Sequence, residues 1–251
     1  MEEIKSRDNQ KLKNWAKLKQ KKYREETGRF IAEGLKALED LINSNIKILE
    51  VFSLKEIKNE KINAPVYIIN ESDMKKICDA DSPCSILAAA EKKKEDINSF
   101  KKLNNIVLLD SASDPGNLGT IIRSAAAFGI EGIILYGNCA DIYSPKVIRS
   151  AAGNLFKIPF IHINSIEELN KHFKNHIKIS SALSKENNIS ISECARIKQK
   201  IIMLGSEAKG LSKDLLKTAD KNILLKMKNG VESLNLAVCA SIIFYELDKS
   251  R

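Results

Sequence analysis

From Asn105 onward, short apolar runs alternate with amphipathic segments, and that alternation leaves few architectures open to the chain. The apolar runs fall at residues 106–109, 133–136, 160–163, 177–181, 201–204 and 223–225. Helical patterns lie between most of them, at 118–128, 145–152, 166–176 and 211–218, with a last one at 234–247. Short, nearly continuous apolar runs are those of strands covered on both faces, so the spacing predicts a mostly parallel α/β sheet with helices on either side. Ser144 before Pro145, and Gly153 after Ala152, mark the start and stop of one helix.

The first hundred residues read as a smaller α/β unit. Between residues 4 and 24 there are nine basic side chains against one acid, Asp8, while Leu12, Trp15, Ala16 and Leu18 recur at helical spacing. This predicts one basic amphipathic helix with Trp15 turned inward, suited to RNA phosphates. A helix at 35–42, strands at 46–54 and 66–69, a helix at 71–78 and a strand at 84–90 complete the unit. The charge run 91–96 has no apolar period, which gives domains at 1–96 and 105–251 joined by a linker at 97–104.

Composition narrows the functional classes. The net charge of +9, from 41 basic and 32 acidic residues, suits a polyanionic partner such as nucleic acid. Five scattered cysteines without paired spacing point to reduced thiols in a cytoplasmic protein. No apolar signal segment opens the chain, and the last helix is too short and too closely flanked by charge to span a bilayer, so no membrane partner is expected. Neither GxxxxGK[ST] nor GxGxxG occurs, which excludes the usual phosphate loop and dinucleotide fingerprint. His172 and His176 lie four apart without a third ligand, so no metal site is expected. The repeated pentapeptide IRSAA, at 122–126 and 148–152, does not continue and signals no solenoid.

Three strand-to-helix loops carry the candidate chemistry: DSASDPGNLG at 110–119, GSEAKG at 205–210 and MKNGVES at 227–233. In a parallel sheet such loops emerge at the carboxyl edge, where ligands bind, so the three are expected to converge on one pocket. Ser233 reads as the N-cap of a helix starting at Leu234 and buried on nearly all sides, with Asn235 inside its first turn, where a buried amide needs partners. Arg123 sits near the amino end of its helix, opposing the macrodipole unless an anion lies beside it.

In this order and spacing, the three loops resemble the signature motifs of the SpoU (TrmH-like) branch of the SPOUT RNA methyltransferases. NLGTIIRSAAAFG places Asn117, Gly119 and Arg123; IIMLGSEAKGLS places Gly205, Glu207 and Gly210; LLKMKNGVESLNLAV places Ser233, Leu234 and Asn235. The openings SRDNQKLKNWAKL and GRFIAEGLKALEDL resemble the small substrate-binding domain that many members carry first. Ser206, Ala208 and Lys226 depart from the asparagine, glycine and proline usual there, and bear on cofactor affinity.

The resemblance implies a SPOUT-type sheet with a trefoil knot, S-adenosylmethionine as cofactor, a homodimer, and methylation of a ribose 2′-hydroxyl. The RNA is expected to be rRNA, with tRNA as the alternative. It also implies a catalytic set of Arg123, Asn117, Glu207, Ser233 and Asn235, and a cofactor wall of Leu204, Gly205, Gly210, Leu225, Met227 and Leu234. Methyl transfer from a sulfonium is an in-line displacement that needs no metal; it needs a held hydroxyl that loses its proton. A guanidinium keeps its proton near neutrality, so Arg123 is expected to work by charge, holding phosphate and steadying the developing alkoxide. Two rivals stay open: a non-catalytic RNA-binding protein that retains the fold, and an unrelated α/β enzyme acting on a small phosphorylated molecule.

Overall fold

A computed structural model describes residues 2–3, 10–57, 59–80, 84–182, 187–206, 208–225, 227–228 and 233–250. In chain order the elements begin with β1 (Glu2–Glu3), α1 (Gln10–Lys17), α2 (Lys21–Thr27), β2 (Arg29–Glu33) and α3 (Leu35–Ile42). Next come β3 (Ile48–Ser53), β4 (Val66–Ile68), α4 (Glu71–Ile77), β5 (Ile86–Glu91), α5 (Ile97–Phe100) and β6 (Asn105–Asp110). Then follow α6 (Pro115–Ala127), β7 (Gly132–Tyr136), α7 (Pro145–Ala151), a 3-10 turn (Asn154–Phe156), β8 (Phe160–Ile163) and α8 (Ile166–His172). The last are β9 (Ile177–Ser180), β10 (Asn188–Ile189), α9 (Ile191–Arg196), β11 (Lys200–Leu204), α10 (Lys213–Lys217), β12 (Lys221–Ile223) and α11 (Leu236–Lys249). They form two compact units, one reaching Lys94 and also including Asp141–Lys157, the other taking Glu95–Ala140 and Ile158 onward.

The first unit is a five-stranded mixed sheet in the order β1-β4-β3-β5-β2. Leu12, Trp15 and Leu18 of the basic segment pack on Ile31, Phe52, Tyr67, Met74 and Leu87, so the apolar positions at helical spacing do face a core. The single helix expected over 4–24 is instead two helices with a tight turn between them, and residues 4–9 lie outside the described set. Arg24 explains the break. It is buried, its Nη1 donates to the carbonyls of Leu18 and Lys19 at 2.6 and 2.7 Å, and its Nη2 meets Asp141 at 2.6 Å. One of the nine basic residues is thus a structural clamp for the turn rather than a phosphate contact.

Residues 141–157, which the alternation places among the strands of the second unit, pack in the first. Phe30 meets Tyr143 and Phe156 with ring centres 4.7 and 5.9 Å apart, and Arg149 donates to Glu33 at 2.8 Å and to Asp79 at 3.2 Å. Gly153, at φ +80°, lies so near Asp40 that a Cβ there would fall 1.5 Å from the carboxylate oxygen. Only glycine fits that approach.

The second unit is a seven-stranded sheet in the order β10-β12-β9-β11-β6-β7-β8, and every pairing in it is parallel. β6 and β11 are buried at every residue, as strands covered on both faces must be. The helix expected at 118 starts one turn earlier, because Asp114 caps it and Pro115 takes its first position. The pair β10 and α9 was not foreseen, although Ser190 and Glu193 form a capping box that marks the helix start.

Candidate active site

The site lies at the carboxyl edge of the parallel sheet, where β9, β11 and β12 give way to loops. These loops and the amino half of α11 enclose a pocket of about 330 Å³. Gly205, Gly210, Leu225, Met227, Ser233 and Leu234 line it. After β11 the chain folds straight back: Ser206 and Gly210 exchange backbone hydrogen bonds of 3.1 and 2.8 Å, with Gly210 at φ +64°. A Cβ on Gly205 would sit 2.0–2.4 Å from backbone atoms of Gly210 and Leu211. The glycine is what lets the loop close on its own strand and leave a bare backbone wall. Ser206, where the resemblance expects asparagine, accepts from the Lys209 amide at 3.3 Å.

The amino end of α11 differs from the sequence reading. Asn235, not Ser233, is the N-cap: its Oδ1 accepts from the amides of Ala237 and Val238 at 2.9 and 3.2 Å. Capping satisfies the first orphan amides of the helix and leaves Nδ2 free to point outward. That Nδ2 donates to Oδ1 of Asn117 at 3.0 Å, which joins the amino ends of α11 and α6. The two helices also meet where Ser124 and Ser241 share a hydrogen bond of 2.6 Å. Nor is α11 buried on nearly all sides: Val238, Ile242 and Tyr245 are 48, 38 and 48 % exposed.

Among the described residues, the first loop is joined to the elements around the pocket by hydrogen bonds. Besides Asn117, buried Asp110 accepts from the Ser212 amide at 2.7 Å, tying the end of β6 to the loop after β11. No residue of 110–119 lines the pocket, because β9 stands between β11 and β12 in the sheet and its own loop, with Ser181 and Ala182, takes that place. Those two residues were missed, although the rule that ligands bind beyond the carboxyl ends of strands already pointed at Ser181. Cys239 and Ile243, one and two turns into α11, complete the apolar wall. Burial pushes the Cys239 thiol up, so it stays neutral.

Arg123 is exposed on α6, on the same exposed face as Thr120 and Ala127, while Leu118, Ile121, Ile122 and Ala125 are buried. It does not line the pocket and forms no ion pair among the described residues. Leu204 is fully buried at the end of β11, behind the pocket rather than in its lining. Ser233 and Leu234 are exposed at the mouth. Glu207 and Lys226 lie outside the described residues. Among the described residues no cluster of three metal-ligating side chains occurs, and no helix is long and apolar enough to cross a membrane.

A pocket walled by leucine, methionine and bare glycine backbone, with hydroxyls at its rim, suits a mostly apolar ligand with a polar end. Comparison with known proteins points the same way. Residues 9–88 match the MRM3-like substrate binding domain. The 23S rRNA (guanosine(2553)-2′-O)-methyltransferase RlmP of Bacillus subtilis is 30 % identical over 251 residues, covering 98 % of this chain and 99 % of its own. The 23S rRNA (uridine(2479)-2′-O)-methyltransferase of Streptomyces viridochromogenes is 27 % identical, over 79 % of this chain and 70 % of its own. An AdoMet-bound rRNA methyltransferase from Sinorhizobium meliloti superimposes with a TM-score of 0.89 at 29 % identity, over 99 % of this chain and 97 % of that one. Residues 104–245, more than half of the chain, match the SpoU rRNA Methylase family, and the protein belongs to that family.

Proposed function

We propose that this protein transfers a methyl group from S-adenosylmethionine to a ribose 2′-hydroxyl of ribosomal RNA. The observation that carries the reading is the single pocket in which the second and third signature loops meet, hydrogen-bonded through Asn235 and Asn117 to the helix that bears Arg123. Gly205, Gly210, Leu225, Met227 and Leu234 would hold the cofactor by backbone groups and apolar contact, with Leu204 supporting them from behind. When bound, the cofactor supplies an electrophilic methyl carbon on a sulfonium. The chain must then hold the RNA and lower the cost of taking a proton from the hydroxyl.

Arg123 presents a permanent cation at the exposed face of α6, fitted to anchor a backbone phosphate and to steady a developing alkoxide. Asn117 and Asn235 fix that helix against α11, and Ser233 stands at the mouth, where its hydroxyl can meet the sugar. Glu207 is proposed to fix the loop after β11. Residues 1–96 are proposed as the RNA-binding domain and 105–251 as the catalytic one, joined by 97–104, while residues 141–157 belong to the first compact unit. A homodimer, formed through the apolar stripe Val238, Ile242 and Tyr245 on α11, a cytoplasmic location and a C-terminal trefoil knot belong to the same proposal.

Mass mapping of ribose methylation in rRNA and tRNA from cells with and without the gene tests the reading. One rRNA nucleotide is expected to lose its mark. Loss from tRNA alone would select tRNA as the substrate, and an unchanged map with no calorimetric binding of S-adenosylmethionine would select the non-catalytic RNA-binding protein. Arg123→Lys tests the arginine: its methylation rate is expected to stay low at every pH, whereas recovery to wild type at raised pH would make the side chain a base.

A further inference from the structure

The first unit holds a cavity of about 550 Å³, lodged between α1, α2 and the strands beneath them. Lys11, Trp15, Lys17, Tyr23, Arg29 and Glu50 shape it. Glu50 lies at its side, accepting from Trp15 Nε1 at 2.7 Å and pairing with Lys11 at 2.9 Å, so the indole is held in one orientation. The Arg29 guanidinium lies 5.7 Å from the centre of the Trp15 ring, and the Lys17 ammonium 5.6 Å from that of Tyr23. Lys17 and Arg29 are exposed, and neither is ion-paired among the described residues. Three cations surround one carboxylate, and that carboxylate is already occupied.

We infer that this cavity takes one unpaired nucleotide of the RNA substrate, its base stacked on Tyr23 and on the Arg29 guanidinium that lies over Trp15, and its phosphate held by Lys17 and Arg29. Cations interleaved with ring faces match the alternation of phosphate and base along a single strand. A duplex hides the faces of its bases, so a paired stretch could satisfy only the cations. An acidic protein segment would use the cations and leave the rings idle. The inference rests on the proposed RNA substrate and says which form of it the first unit grips.

Trp15 is the only tryptophan, so tryptophan emission, excited selectively, reports on this cavity alone. Titration with a single-stranded oligoribonucleotide is expected to quench it saturably, and a duplex of the same sequence to bind at least about tenfold more weakly. Tyr23→Leu and Arg29→Gln, each at a partly or fully exposed position, should weaken binding about tenfold, and Tyr23→Phe should restore it. In methyl-transfer assays the same variants should raise KM for RNA and leave kcat unchanged. Equal quenching by the duplex or by polyglutamate, or unaltered affinity in Tyr23→Leu and Arg29→Gln, would overturn the inference. Calorimetry with S-adenosylmethionine and methyl transfer by the unaltered protein separate the two levels: their failure sinks the enzymatic reading, whereas their success with unaltered variants sinks only the nucleotide site.

Discussion

The pentapeptide Ile-Arg-Ser-Ala-Ala occurs twice, and its two arginines have opposite surroundings. Arg149 is held by Glu33 and Asp79, whereas Arg123 is exposed without an ion pair among the described residues. Identical neighbours along the chain therefore say nothing about which cation is spent on structure; the partners across space decide it. Asn235 shows the same division. Its acceptor oxygen caps α11 and its donor nitrogen reaches Asn117, so one side chain does two separable jobs. Asn235→Ala is expected to cost about 1 kcal/mol in thermal or urea unfolding, because the cap is lost. Asn235→Asp keeps the acceptor and should unfold like the wild type, yet lower methyl transfer, because the donor to Asn117 Oδ1 is gone and Asn117 must turn its amide over to donate to the new carboxylate. Gly205→Ala should abolish calorimetric binding of S-adenosylmethionine, since its methyl group would need the space of the Gly210–Leu211 backbone. Tight binding by that variant would remove Gly205 from the proposed wall.

At the scale of elements, α11 carries the largest difference between pattern and structure. Its apolar run reads as a helix buried all round, yet Val238, Ile242 and Tyr245 line an exposed stripe at spacings of four and three. Hydropathy reports that a side chain avoids water; it cannot report whether the shield lies in the same chain or in another copy. Ile242→Lys places a charge in the middle of the stripe without touching the buried face of Ala240, Ile243 and Leu247. Sedimentation should show the wild type as a dimer and this variant as a folded monomer. The basic segment departs from its pattern for a different reason. One helix is expected over 4–24 from the spacing of Leu12, Trp15, Ala16 and Leu18, but buried Arg24 turns the chain at 18–20 by bonding to two of its carbonyls.

Across the whole molecule, one buried titratable group links folding to pH. Burial holds His176 below its ordinary value, with Lys178 acting in the same direction and the carbonyl of Leu103, which accepts from Nε2 at 2.8 Å, against it. Its Nδ1 is buried with no partner among the described residues, so a second proton there has no acceptor. The unfolded chain takes up that proton first, near pH ~6.5, so this contribution to stability is complete above that pH and is lost as pH falls through the lower folded value. Urea unfolding from pH 7.5 down to 5 should show the decline, and His176→Gln, which keeps a donor for Leu103, should flatten it. The parallel sheet, the helices between its strands, Trp15 as a core anchor and the three candidate loops were all legible in the sequence, because strand burial, helical period and turn chemistry are local properties. What only the tertiary structure decided is which loops meet. Strand order inserts β9 between β11 and β12, brings Ser181 and Ala182 into the pocket, and leaves Asp110 and Asn117 to reach it through hydrogen bonds. Order within a sheet is set by long-range pairing and packing, and no local pattern encodes it.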